Sequence, residues 1–220
     1  MAACLLCYVT DRKAFPGSEL ARQRALLKKI SEAARCGVDY IQLREKDLSA
    51  GELEALAREA VRIVRQSLQG NSRSGPPTRL LINSRTDVAL ATAADGVHLR
   101  SDDISAEEAR RVWKKGEGNA RMTIGVSCHS TVEVEQAEIQ GADFAAFAPV
   151  FEKQGAPGAQ LTGLNPLRQS CRHKIPVLAL GGVTFDNAAA CFESGATGIA
   201  AIRLFQENEI AEVVRRLRDR

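Results

Sequence analysis

Ile124-Gly125-Val126-Ser127-Cys128-His129-Ser130 is a short apolar run that breaks into a small-polar cluster, and a helical pattern begins at once with Thr131-Val132-Glu133. A buried strand ending in such a turn carries an imidazole at its carboxyl end. In parallel α/β proteins, ligand-binding and catalytic groups gather at that end of the sheet. Histidine is also the side chain best suited to moving a proton near neutral pH.

The same alternation extends outward in both directions. Apolar runs predict strands at 5–9, 40–43, 80–82, 96–99, 123–127, 144–149, 176–180 and 198–202. Their interiors are continuous rather than alternating, as expected of strands covered by helices. Amphipathic stretches between them predict helices at 18–36, 49–68, 86–93, 105–114, 131–140, 165–172, 186–194 and 206–218. Ser49 followed by Glu52 is a capping-box signature. Gly37, Gly141 and Gly195 each stand between a helical stretch and the next strand, where a left-handed cap is expected. Eight such units predict a closed (β/α)8 TIM barrel, one domain over residues 1–220, in preference to an open doubly wound sheet.

Bulk properties narrow the function. A formal net charge of +3 is too mild for a nucleic-acid partner. No apolar run reaches membrane-spanning length, and no leader pattern opens the chain, so a soluble cytoplasmic protein is expected. The six cysteines are scattered through apolar contexts. Cys4 and Cys7 have C-x-x-C spacing but no second pair to complete a metal set, so buried free thiols are expected. The composition leaves room for a homo-oligomer.

Candidate site residues follow from strand ends. After the second strand, alternation puts Gln42, Arg44 and Lys46 on one face, suited to an anionic ligand, unless Glu45 or Asp47 takes the cations in internal salt bridges. Asn83 follows the third strand, where Arg85 and Asp87 are expected to pair or cap. His98 reads as a core histidine. Gly182 and Val183 follow the seventh strand, and Ile202 and Arg203 the eighth. Barrels often bind phosphate between these two loops. His173 falls at the opposite mouth. Residues 69–78 read as a flexible insertion and 152–162 as a loop able to close over a ligand.

These pieces, in this order, resemble the thiamine phosphate synthase and thiazole tautomerase family. The matching segments are YIQLREK, LINSRTDVALATAADGVHL, IGVSCHSTVEVEQAEIQGADF, FAPVF and IPVLALGGVTFDNAAACFESGATGIAAI. The resemblance implies a (β/α)8 barrel acting on the phosphorylated thiazole half of thiamine. The synthase branch joins hydroxymethylpyrimidine diphosphate to thiazole phosphate with Mg²⁺ held by acidic residues. Its Asn-Asp pattern after the third strand is Asn83-Ser84 here, while Asp103 matches its second aspartate. Its Thr-rich diphosphate segment ending in Lys is replaced by Phe151-Glu152-Lys153-Gln154-Gly155-Ala156-Pro157. The tautomerase pattern Asn-Gly-Arg-x-Asp is followed by Asn83-Ser84-Arg85-Thr86-Asp87, with Ser for Gly, and Ser-x-His-Ser by Ser127-Cys128-His129-Ser130.

The expectation is therefore an isomerase, a thiazole tautomerase that needs no metal or cofactor. His129 serves as its general acid/base. Gln42, Arg44, Lys46, Asn83, Ser127, Gly182, Val183, Ile202 and Arg203 bind the small phosphorylated thiazole. Two rivals stand beside it: a Mg²⁺-dependent thiamine phosphate synthase using Asp103, and a non-catalytic barrel that binds thiazole or thiamine phosphates.

Overall fold

In a computed structural model, which describes residues 4–68, 76–116, 121–152 and 162–219, the apolar runs become parallel strands that join in chain order into a closed barrel. They are β1 (Leu5–Val9), β2 (Tyr40–Leu43), β3 (Arg79–Asn83), β4 (Gly96–Leu99), β5 (Thr123–Cys128), β6 (Phe144–Phe147), β7 (Val177–Leu180) and β8 (Gly198–Ala201). Cys7 lies opposite Tyr40 on one side and Ala200 on the other, so β1 pairs with both β2 and β8 and no edge is left open. Helices α1 (Glu19–Cys36), α2 (Ala50–Leu68), α3 (Thr86–Ala91), α4 (Ala106–Lys115), α5 (Thr131–Ile139), α6 (Leu164–Ser170) and α7 (Ala188–Glu193) follow the first seven strands. Two helices, α8 (Arg203–Gln206) and α9 (Ile210–Arg218), follow the last. The expected (β/α)8 barrel is the fold, and the open sheet is excluded.

Local chemistry sets the boundaries. Ser49 and Glu52 exchange hydrogen bonds, with the Ser49 N–H and hydroxyl donating to Glu52 Oε2 at 2.9 and 2.6 Å. Gly37 ends α1 at φ +82°, and Gly141 and Gly195 also adopt positive φ. Two expectations are corrected. The helix expected at 206–218 is divided in two: Asn208 Nδ2 donates to the Leu204 carbonyl at 3.0 Å, and the Ile210 N–H donates to Glu32 at 2.9 Å, so one helix closes and another starts. The sixth strand stops at Phe147 rather than running to 149, since Pro149 has no N–H for a ladder.

The barrel interior is a core of its own. Cys7, Val9, Leu81, Phe144, Leu178 and Ala200 pack together, with Leu5, Tyr40, Leu180 and Ile202 against them. Tyr40 and Phe144 stack with ring centroids 4.6 Å apart, and the His98 ring lies 5.7 Å from Phe144. Burial pushes the Cys7 thiol up to about 12, with the Asp39 charge adding to it, so this thiol stays protonated.

Gly125, in the stretch that predicted the barrel, makes room for these rings. A Cβ there would stand 2.3 Å from the Phe144 ring and 2.8 Å from His98 Nδ1. Gly125→Ala is expected to cost about 1–3 kcal/mol through overpacking. The loss should appear as a lower urea midpoint at unchanged slope; an unmoved midpoint would mean that Phe144 is free to shift.

Candidate active site at the carboxyl mouth

Four consecutive strands each send one polar side chain inward near the carboxyl end. Gln42 of β2 is buried and donates from Nε2 to Asn83 Oδ1 on β3 at 2.8 Å. The Asn83 amide in turn donates to the Ser84 hydroxyl at 3.1 Å. Register places His98 of β4 beside Asn83 and Gly125 of β5 beside His98. His98 Nε2 stands 3.0 Å from Ser127 Oγ. Two hydrogen-bonded pairs thus line the upper interior, and His98 is the core histidine the sequence suggested.

Arg44 and Lys46 sit just past β2, the first half-buried and the second exposed. The charge of Arg44 acts on His98, so its guanidinium lies within electrostatic reach of the interior. Glu45 and Asp47, weighed as internal partners for these cations, both bind Arg12 instead. Arg12 and Thr10 are site-adjacent residues that sequence reasoning missed.

On the other side of the mouth, Gly182 follows β7 at φ +64°, and a Cβ there would lie 2.4 Å from the Glu152 carbonyl oxygen. Asn187 closes this turn: its Oδ1 accepts the Thr184 N–H at 2.8 Å, and its Nδ2 donates to the Gly182 carbonyl at 2.9 Å. Val183 inside the turn is buried. Ile202 packs on the interior core, and Arg203 opens α8 with an exposed side chain, 3.9 Å from Glu207.

His129 stands on the rim, exposed, with Nδ1 2.7 Å from the Ala148 carbonyl. A carbonyl only accepts, so Nδ1 carries the hydrogen and Nε2 is the acceptor of the neutral ring. Its backbone N–H donates to Glu133 at 2.7 Å. Asp103 Oδ2 accepts the Arg100 N–H at 2.7 Å, while Asp102 pairs with the Arg100 guanidinium. Arg85 and Asp87 form a two-bond pair at 2.8 and 2.5 Å, as expected. His173 lies 3.2 Å from Glu138, before β7 and away from this mouth. Among the described residues no group of three or more His, Cys, Asp or Glu could hold a metal ion, and no helix is long and apolar enough to cross a membrane. The insertion expected at 69–78 and the loop at 152–162 fall mostly outside the described residues.

A glycine turn after β7 and an arginine after β8, strands that neighbour each other in the barrel, stand where (β/α)8 barrels often bind phosphate. The family model described as thiamine monophosphate synthase matches residues 6–205, and the chain belongs to that family. It is 38% identical to the thiamine-phosphate synthase of Syntrophomonas wolfei, over 97% of this chain and 94% of that protein. It is 37% identical to the thiamine-phosphate synthase of Roseiflexus castenholzii, over 88% of this chain and 77% of the relative. The solved structure of a thiamine phosphate pyrophosphorylase from Pyrococcus furiosus superposes with a TM-score of 0.76 at 28% identity, covering 98% of this chain and 94% of that one. These matches overturn the expectation of a tautomerase. Relatives aligned along almost the whole chain are named for the synthase activity, which outweighs the few positions around Ser84 and His129 that favoured an isomerase.

Electrostatics set the charge of the buried imidazole at the mouth. Burial, and then the charge of Arg44, push His98 down to about 4, so it is neutral at pH 7. In the unfolded chain it titrates near 6.5. As pH falls through that value the unfolded state takes up a proton that the folded state refuses, so stability is lost until the folded group titrates as well. Between pH 7 and 4.5 this one group should remove about 2–3 kcal/mol. His98→Leu should lose correspondingly less stability over that window in urea melts. Equal losses in both proteins would show that His98 is protonated in the fold.

Proposed function

We propose that this chain is a thiamine-phosphate synthase, a transferase that joins hydroxymethylpyrimidine diphosphate to thiazole phosphate. The carrying observation is the resemblance along most of its length to relatives named for that activity. In this reaction the thiazole nitrogen's electron pair forms a C–N bond to the pyrimidine methylene. The C–O bond breaks, and diphosphate leaves with its electron pair. No proton has to move. The protein's tasks are to neutralise two anions, align the reacting atoms and exclude water.

The residues at the mouth suit those tasks. Arg44 and Lys46 supply fixed cations for the diphosphate after β2. The turn at Gly182 and Val183, with Arg203, takes the thiazole phosphate. The Gln42–Asn83 pair and Ser127 give the pyrimidine polar edges to register against. Ile202, on the apolar core, offers a face for a ring. His129, tied to Ala148, braces the start of the loop after β6.

Mg²⁺ fits these residues in one way only. With Asp103 as the carboxylate, the described residues make no resident cage. They match the mode in which one or two carboxylates hold a Mg²⁺ that also binds substrate phosphates and waters. Bound there, the ion would neutralise charge on the departing diphosphate.

The test is an assay of diphosphate release from the two halves together, with Mg²⁺ varied. Turnover should need both substrates. Arg44→Ala should raise KM for the pyrimidine diphosphate about ten-fold or more, and Asp103→Asn should raise the Mg²⁺ needed for half-maximal rate by at least about ten-fold. Conversion of a thiazole phosphate alone, or ligand binding with no turnover, would overturn the assignment.

A further inference from the structure

The side chain of Arg12 is only 4% exposed, yet its guanidinium meets three carboxylates. Nε donates to Glu19 at 2.5 Å. One terminal nitrogen donates to Glu45 at 3.2 Å and Asp47 at 2.7 Å, and the other to Asp47 at 2.8 Å. Glu45 is more enclosed still, at 1% exposed. It also accepts the Arg12 N–H at 3.0 Å and the Thr10 hydroxyl at 2.6 Å. The same Thr10 oxygen accepts the Arg44 N–H at 2.9 Å.

A buried ion pair adds little net stability, because desolvation offsets its attraction. Its position in the chain suggests another role. Glu45 lies between Arg44 and Lys46 and is buried against Thr10 and Arg12, so whatever fixes Glu45 fixes the backbone on both sides of it. Thr10 completes the hold by capping the Arg44 amide. The loop carrying Thr10 and Arg12 is itself bolted to α8: the Asp11 N–H and carbonyl each bond the Gln206 amide at 2.9 Å. One cluster therefore ties the turn after β2 to the helix that opens with Arg203.

We infer that Thr10, Arg12 and Glu45 are positioning residues that hold Arg44 and Lys46 in register for a diphosphate-bearing ligand. The inference rests on the synthase reading. Cations on long side chains lose rotamer and backbone freedom when they close on an anion, and a turn already fixed lowers that cost.

Thr10→Val keeps the shape of the side chain and removes both of its hydrogen bonds; Thr10→Ser restores them. Calorimetry with inorganic diphosphate and Mg²⁺, together with KM for each substrate, reads the effect in proteins whose melting curves show them folded. Thr10→Val should weaken diphosphate binding and raise KM for the pyrimidine diphosphate about ten-fold, with KM for the thiazole phosphate within about two-fold and Thr10→Ser close to wild type. Where Thr10→Val does not fold, Glu45→Gln carries the same test with a smaller shift, roughly three- to ten-fold. Wild-type binding in both variants, alongside loss in Arg44→Ala, would overturn the positioning role and leave the synthase reading intact. A rise in both KM values that Thr10→Ser fails to rescue would show a merely structural part and also overturn it. No diphosphate binding by the wild-type chain would fell the synthase reading and this inference together.

Discussion

The Phe144 ring divides the barrel into a packed part and a working part. A closed parallel barrel has an interior that must be filled, and here the Tyr40–Phe144 stack fills its waist. Gly125 and the His98 ring fit around it. Polar groups on the carboxyl side of that plug have apolar atoms beneath them and cannot rely on water from below. They have to pair, as Gln42 does with Asn83 and His98 with Ser127. The same pairing presents them as a fixed polar floor for whatever enters the mouth.

How much of this was legible in the sequence depends on the reach of each interaction. Strands were readable because each is a buried run flanked by local signals, and Gly37, Gly141 and Gly195 mark where helices give way to strands. Gln42, Asn83 and Ser127 were readable as residues at the carboxyl end of the barrel because each stands near the end of its strand. The Arg12–Glu45 pair was not, because its partners lie 33 residues apart and nothing local to either names the other. The break between α8 and α9 was hidden for the same reason, since Glu32 receives the Ile210 N–H from a distant helix. The setting of His129 depends on a carbonyl 19 residues further on. The choice of chemistry was misread at a different level. Ser84 and His129 are single positions, Ser84 departing from the pattern of both branches, whereas identity to a synthase over 97% of the chain samples nearly every position at once.

In the proposed synthase reaction the β7 and β2 sides of the mouth would handle negative charge differently. After β7 the groups on offer are backbone amides in a turn that only a glycine at 182 can make, because carbonyl oxygens from the neighbouring loop crowd it. Such amides bind a compact monoanion or dianion with little adjustment. After β2 the groups are side-chain cations; on the synthase reading a diphosphate leaving group gains charge there as its bond breaks, and mobile cations would have to reorganise during the reaction. The inferred hold of Thr10 and Glu45 on this turn would lessen that need. Glu45 and Asp47 lie close to the proposed site but are paired with Arg12, and Asp47 with Lys13 as well, so part of their charge is offset by cations other than Arg44 and Lys46. His98 contributes no charge of its own. Burial and Arg44 keep its ring uncharged at neutral pH, so on the proposed reading the positive charge facing a ligand is left to the arginine and lysine side chains.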